Sequence, residues 1–261
     1  VTLVEGVRKR YTRVGPWVLD GVDLKVEQGV VTVIVAGNGV GKSTLLRIIA
    51  GAALPTAGRI TELPQTVGYI PERAPAAMRM TARQYLAHVG RMRGMPPDEV
   101  LTRTNELAER LALAPGPDVP IASLSKGNGQ KVAVMQAFLK PPDLLVVDEP
   151  ATGLDAPAKA ELARLMSEAE HNGASILLSA HESAVPAGGR MYRLLDGRLV
   201  AEAARGMRIT LQPTREGLSA SALGAEVLLE EPGRVTVRTE DADKLLLTAL
   251  AGGWSLIEAK P

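Results

Sequence analysis

Near the start of the chain, apolar residues come in short runs that alternate with polar ones: Val1 to Val4, Trp17 to Leu19, then Val22, Leu24 and Val26 before the Gln28-Gly29 turn. This predicts a small antiparallel layer with one covered face. Val30 to Val35 is instead an unbroken β-branched run, the pattern of a strand buried on both faces, and it leads through a glycine-rich loop into helix-like Thr44 to Ala50. From about Glu72 to Pro120 such runs vanish. Arg83 to Arg93 and Pro97 to Leu113 space their apolar residues three and four apart, which predicts a helical insertion. The alternation of strand and helix resumes with Leu144 to Val147, a helix over Ala156 to Asn172 closed by Gly173, a strand over Ser175 to Ser179, and a hairpin over Met191 to Val200 around Asp196-Gly197.

After about Gly206 the texture changes. Met207 to Leu211 and Arg234 to Arg238 predict strands, Asp241 to Ala251 a helix and Trp254 to Ala259 a last strand. The expected architecture is an α/β P-loop core over residues 1–205 with an antiparallel β subdomain and a helical subdomain at about 72–122. A small C-terminal α+β lobe is expected over 206–261. No internal repeat or low-complexity segment is visible.

Composition narrows the classes of function. With 30 basic and 29 acidic residues the formal net charge is +1, so no global field draws the chain to nucleic acid or an anionic membrane. No direct nucleic-acid binding is expected. Cysteine is absent, which excludes disulfides and thiolate metal sites and is compatible with a reducing compartment. No apolar stretch approaches the roughly 20 residues that cross a bilayer. The N-terminus lacks the basic-then-apolar order of a secretory signal, so the whole chain is read as mature protein.

The loop Ala36-Gly37-Asn38-Gly39-Val40-Gly41-Lys42-Ser43-Thr44, between a buried strand and a helix N-terminus, has the composition of a phosphate cradle. Glycines let successive backbone N–H groups converge on phosphate oxygens. Lys42 can reach the terminal phosphates, and the Ser43 hydroxyl can ligate magnesium. The strict pattern has glycine where Ala36 stands, a Cβ that a negative φ tolerates. The second signal is Leu144-Leu145-Val146-Val147-Asp148-Glu149-Pro150, an apolar strand ending in two carboxylates. Asp148 can hold the magnesium shell beneath the phosphates and Glu149 can polarise water for in-line attack.

With these two motifs in place, Leu124-Ser125-Lys126-Gly127-Asn128 resembles the signature motif of the ATP-binding cassette ATPases, with Lys126 and Asn128 departing from its commonest version. The resemblance covers roughly Val1 to Ala201 and implies a head-to-tail pair of subunits that sandwich two ATP molecules with Mg2+. Ser125, Gly127 and Asn128 would reach the γ-phosphate held by the opposite subunit, although Ser125 also fits a helix cap. Asp155 resembles the loop that crosses the dimer interface, and His181 the switch histidine that acts with Glu149 and Lys42 in catalysis. Tyr11 occupies the place of the ring that stacks on adenine, or is ordinary core. Where the family usually has a glutamine this chain has Glu72, a carboxylate that can still ligate magnesium but cannot donate as an amide does.

The resemblance further implies a separate membrane-spanning permease, a second cassette that is most simply an identical chain, and a place on the cytoplasmic face of the membrane. Glu72 to Arg93, with Met78, Met80, Tyr85 and Met92 among Arg79, Arg83, Arg91 and Arg93, is expected to supply the dock, or is a solvated basic helix. The signature and the C-terminal lobe resemble single-cassette exporter ATPases. An importer ATPase, a soluble cassette ATPase acting on nucleic acid or ribosomes, and a nucleotide sensor without turnover are the alternatives.

Overall fold

The computed structural model describes residues 1–37, 39–74, 78–149, 153–180, 189–202, 207–214, 223, 225–231, 233–239, 245, 248–250 and 252–260. They belong to two compact units, one within Val1–Glu182 and Tyr192–Val200, the other within Ser183–Met191 and Ala201–Pro261.

In the first unit, β1 (Thr2–Lys9) lies between β2 (Leu19–Val26) and β4 (Ala57–Thr61) in an antiparallel sheet of order β2-β1-β4. The alternation read at Val22, Leu24 and Val26 faces these residues inward with Val4, Val7 and Leu19. Trp17 stands outside the strand: its ring lies under the guanidinium groups of Arg8 and Arg10, 5.6 and 4.7 Å from the ring centroid.

The second sheet has six strands in the order β5-β6-β7-β3-β8-β9, comprising β3 (Val31–Val35), β5 (Val67–Ile70), β6 (Leu144–Val147), β7 (Ser175–Ala180), β8 (Arg190–Leu195) and β9 (Arg198–Glu202). β5, β6, β7 and β3 pair in parallel. β6 shows why its sequence is apolar throughout. Leu144 and Val146 enter the core shared with β1 and β2, whereas Leu145 and Val147 enter the opposite one. Full burial of each such side chain contributes about 1.5–3 kcal/mol. The β8–β9 turn has Asp196 at φ 47 and Gly197 at φ 76, the pair of positive values that a two-residue hairpin needs.

Helix α1 (Lys42–Ile49) follows β3 and buries Leu45, Leu46, Ile48 and Ile49. The insertion holds α2 (Ala82–Met92), opened by a reciprocal cap between Thr81 and Gln84, and α3 (Pro97–Arg110), with proline in its first turn. Leu86, Val89, Val100 and Leu107 carry these helices into the core that also receives Leu145 and Val147. α4 (Lys126–Phe138) and α5 (Ala156–His171) complete the unit, capped by Ser125 and Asp155 respectively.

The second unit is an antiparallel sheet of order β11-β12-β10-β13, made of β10 (Met207–Pro213), β11 (Glu226–Glu231), β12 (Arg234–Thr239) and β13 (Trp254–Lys260). Ile209, Leu211, Val235, Val237 and Trp254 form its buried face, with Leu223, Leu245 and Ala249 packed among them. Among described residues of the helix expected over Asp241 to Ala251, Leu245 and residues 248–250 are helical.

Candidate functional site

The loop after β3 delivers its lysine inward. Gly39 and Gly41 have φ values of 77° and 112°, and a Cβ on Gly41 would stand 3.0 Å from the Val18 carbonyl oxygen, so only glycine fits there. Gly41 opens α1 without a side-chain cap, which leaves the first N–H groups of the helix to another partner. Lys42 is buried, and its Nζ donates to the carbonyls of Ala36 (2.8 Å) and Gly37 (3.3 Å). It also lies 3.3 Å from Glu149 Oε1. Ala36 is buried in the core against which Val40 packs, and it is not among the residues with positive φ, so its Cβ is tolerated. Asn38 lies outside the described residues.

Both carboxylates stand at the end of β6, as expected. Asp148 is fully buried and its backbone N–H donates to the Ile70 carbonyl. The Ser179 hydroxyl donates to Asp148 Oδ1 at 3.0 Å, while Oδ2 is buried with no hydrogen-bond partner. Burial pushes the Asp148 carboxyl above its ordinary range; interactions with Ser43 and Ser179 pull it down, and the charges of Glu72 and Glu149 push it up. An ionised, inward-facing oxygen without a partner is costly unless a cation meets it, and Ser43 adds a hydroxyl beside it. Among the described residues no cluster of three or more His, Cys, Asp or Glu side chains could hold a metal. Magnesium takes one or two protein oxygens and completes its shell with phosphate and water, and Asp148 with the Ser43 hydroxyl offers such a pair. Glu149 sits at φ 45, a conformation that a non-glycine residue adopts only under constraint.

Tyr11 is exposed rather than core, and its hydroxyl lies 3.0 Å from Thr44 Oγ1, which sets the ring beside the loop. Lys9 Nζ stands 5.4 Å from the centroid of that ring. Glu72 follows β5 and pairs with Arg73 at 3.6 Å. The preceding residue, Pro71, gives its carbonyl to Gln130 Nε2 at 2.8 Å, joining this segment to α4.

A second cluster surrounds the start of α4. Ser125 Oγ accepts from the N–H and side-chain amide of Asn128, and Asn128 Oδ1 accepts from the Ala114 N–H. Ser125 is therefore a helix cap, one of the two roles open to it. A Cβ on Gly127 would lie 2.8 Å from the Gly153 carbonyl oxygen, so the glycine permits close approach to the loop before α5. Asp155 caps α5 through the Ala158 N–H at 2.8 Å and meets Lys131 Nζ at 2.9 Å. His181 lies outside the described residues.

The basic segment expected to dock a partner is divided. Arg83 is engaged by Asp118 and Asn105, and Arg93 donates to the carbonyls of Gln136 and Val67. Tyr85 bonds Gln136. Arg79, Arg91 and Met92 remain exposed. Ser179, Gln130 and Lys131 escaped the sequence reading. For Ser179 the missing signal was the β6–β7 register, which pairs Val147 with Leu178 and so brings Ser179 beside Asp148.

Known proteins are similar to this chain over most of its length. The family described as ABC transporter matches residues 19–152. The zinc import ATP-binding protein ZnuC of Halorhodospira halophila is 32% identical over 218 residues, covering 81% of each chain. The lipoprotein-releasing system ATP-binding protein LolD 1 of Caulobacter vibrioides is 34% identical over 206 residues, 70% of this chain and 87% of that one. A solved structure of an ATP-binding subunit of an ABC transporter superposes with a TM-score of 0.69 at 29% identity, covering 78% of this chain and 90% of its own.

Proposed function

The chain belongs to the ABC transporter family as an ATP-binding subunit that hydrolyses ATP with Mg2+, and from that premise we propose how its own residues divide the work. The observation that carries the proposal is the convergence of Lys42, Ser43, Asp148 and Glu149, with Asp148 Oδ2 buried and unpartnered among them.

In this reading Gly37, Asn38, Gly39, Val40, Gly41 and Thr44 cradle the phosphates, and the Tyr11 ring stacks on adenine, an interaction typically worth ~1–3 kcal/mol. Lys42 turns from the carbonyls of Ala36 and Gly37 to the terminal phosphates. Ser43 and Asp148 would hold magnesium, and Glu72, whose charge acts on Asp148, would add a further carboxylate. When bound, the metal neutralises developing charge on the phosphate oxygens. Glu149 orients and deprotonates the attacking water, and His181 holds the γ-phosphate. Ser125, Gly127, Asn128 and Asp155 face the nucleotide of a second, identical subunit, so that closure of the pair completes each site.

ABC ATPase subunits work as pairs with a membrane permease. No helix among the described residues is long and apolar enough to cross a membrane. From its family the chain is read as working beside a separate permease, peripheral on the cytoplasmic face of the membrane. Arg79, Arg91 and Met92 are the exposed candidates for its dock. Residues 1–205 are read as the ATPase domain and 206–261 as an accessory lobe, a division supported by the separate core of the second unit. We favour export, on the Ser-Lys-Gly-Asn signature and the C-terminal lobe. The test is phosphate release by the purified chain beside Glu149→Gln, with ATP-induced dimerisation read in the same samples. Cooperative hydrolysis lost in the variant, and a variant dimer trapped by ATP, are expected; near-normal turnover in Glu149→Gln overturns the assignment.

A further inference from the structure

We propose that Ser179 is a positioning residue for hydrolysis, holding the Asp148 carboxylate and the Glu149 backbone in one fixed relation; this rests on the ATPase reading above. A single buried hydroxyl touches both residues. It accepts from the Glu149 N–H at 3.0 Å and donates to Asp148 Oδ1 at 3.0 Å. The direction follows from chemistry, because an amide N–H only donates, an ionised carboxylate only accepts, and a hydroxyl has one proton to give.

The two contacts fix different things. Binding Oδ1 stops the Asp148 carboxylate from turning, which keeps the buried Oδ2, without a hydrogen-bond partner of its own, in one position. Binding the Glu149 N–H holds the chain at the point where it leaves β6 with φ 45, a turn that sends the Glu149 carboxylate toward Lys42. Sheet pairing does not need the hydroxyl, since β6 and β7 are already joined by four registered pairs from Leu144 with Ser175 to Val147 with Leu178. Alanine at position 179 would leave the sheet intact while leaving Oδ1 and the Glu149 N–H without this partner. The loss therefore falls on geometry at the reacting centre rather than on nucleotide affinity.

The experiment compares full-length wild type, Ser179→Ala, Ser179→Thr and Glu149→Gln for kcat, ATP dissociation constant by a fluorescent nucleotide analogue, and melting temperature. Ser179→Ala is expected to lose about 10- to 100-fold in kcat, the usual effect of removing a group that orients a metal-binding side chain. Its ATP dissociation constant should change less than about threefold, and Ser179→Thr, which keeps the hydroxyl, should recover most of the turnover. Wild-type turnover in Ser179→Ala, equal loss in Ser179→Thr, or loss of ATP binding in step with turnover would each overturn the proposal. Failure of the underlying reading is separate: it appears as normal turnover in Glu149→Gln, whatever Ser179→Ala does.

Discussion

Lys42 Nζ and Glu149 Oε1 lie 3.3 Å apart, so the ammonium of the phosphate loop and the carboxylate at the end of β6 partly neutralise each other. A phosphate that draws on Lys42 must compete with this pair and with the Ala36 and Gly37 carbonyls. Glu149→Gln removes the ionic competitor but keeps the shape. ATP is expected to bind this variant as tightly as wild type or up to ~5-fold tighter, the scale of about 1 kcal/mol for a partly exposed pair. Hydrolysis should fall by about 10²- to 10⁴-fold, as loss of a positioned base predicts. Nucleotide titration beside phosphate release checks both halves, and weaker binding would show that the carboxylate assists rather than competes.

Asp155 and Lys131 form a second charged pair with a different consequence. The Asp155 carboxyl is held below its ordinary range first by the Ala158 N–H it caps and then by Lys131. A lowered folded value means that ionised Asp155 contributes stability above the unfolded aspartate value near 3.9, and that this contribution is lost as pH falls through the folded value. Asp155→Asn keeps a good helix cap and removes only the charge, leaving the buried Lys131 ammonium to the Ala112 carbonyl. The variant should melt below wild type at pH 7, with the gap narrowing as pH is taken below about 4. Calorimetry across that range decides it; a gap independent of pH would assign the effect to packing.

Arg110 ties the helical insertion to the core helix α5. Its two terminal nitrogens meet Glu168 at 3.0 and 2.6 Å and its Nε lies 2.6 Å from Glu161 Oε1, and these contacts, Glu168 first, push the guanidinium above its ordinary range. Arg110→Met leaves Glu161 buried with only the exposed Arg164 as a cationic neighbour shown beside it. A loss of about 1 kcal/mol in urea unfolding is expected, because the network is partly exposed and screened. The deficit should shrink in high salt. An unchanged urea midpoint would mean that apolar packing alone holds α3 on α5.

The elements legible in the sequence are those whose burial leaves a period. β3 and β6 are unbroken apolar runs because both faces are covered, and α2 and α3 show the helical spacing of one covered face. β4 leaves no period in the sequence because Ala57 to Arg59 are exposed at a sheet edge, where no alternation is required. α4 shows no apolar stripe in the sequence, since Gly129 to Met135 are all buried and a helix covered on nearly every side loses it. β11, an edge strand rich in glutamate, has the same weakness as β4. At the site, Lys42, Ser43, Asp148 and Glu149 were legible because glycine loops and strand-end carboxylates leave local patterns. Ser179 and Lys131 act through residues 31 and 24 positions away, Asp148 and Asp155, and only register and packing bring them there.

Gly127 tests whether the start of α4 and the loop before α5 must touch. A methyl group there would stand 2.8 Å from the Gly153 oxygen, and real Cβ atoms do not come so close to a backbone oxygen. Position 127 is helical, so alanine has no conformational objection and would, on propensity alone, stabilise α4 by up to ~1 kcal/mol. The contact decides the sign. Relief requires the Gly153 segment to move away from Gly127, which shifts Leu154 and Asp155, whose side chains are anchored in the core and on Lys131. Gly127→Ala is therefore expected to bind ATP in its own phosphate loop with wild-type affinity while losing ATP-induced dimerisation and with it at least ~10-fold in hydrolysis, the scale on which small displacements of positioning groups are felt. Light scattering with ATP, read against nucleotide affinity in the same samples, separates the two. Dimerisation and turnover at wild-type levels would show that the two segments can part without cost, and would remove the close approach from any account of how a second subunit is recognised.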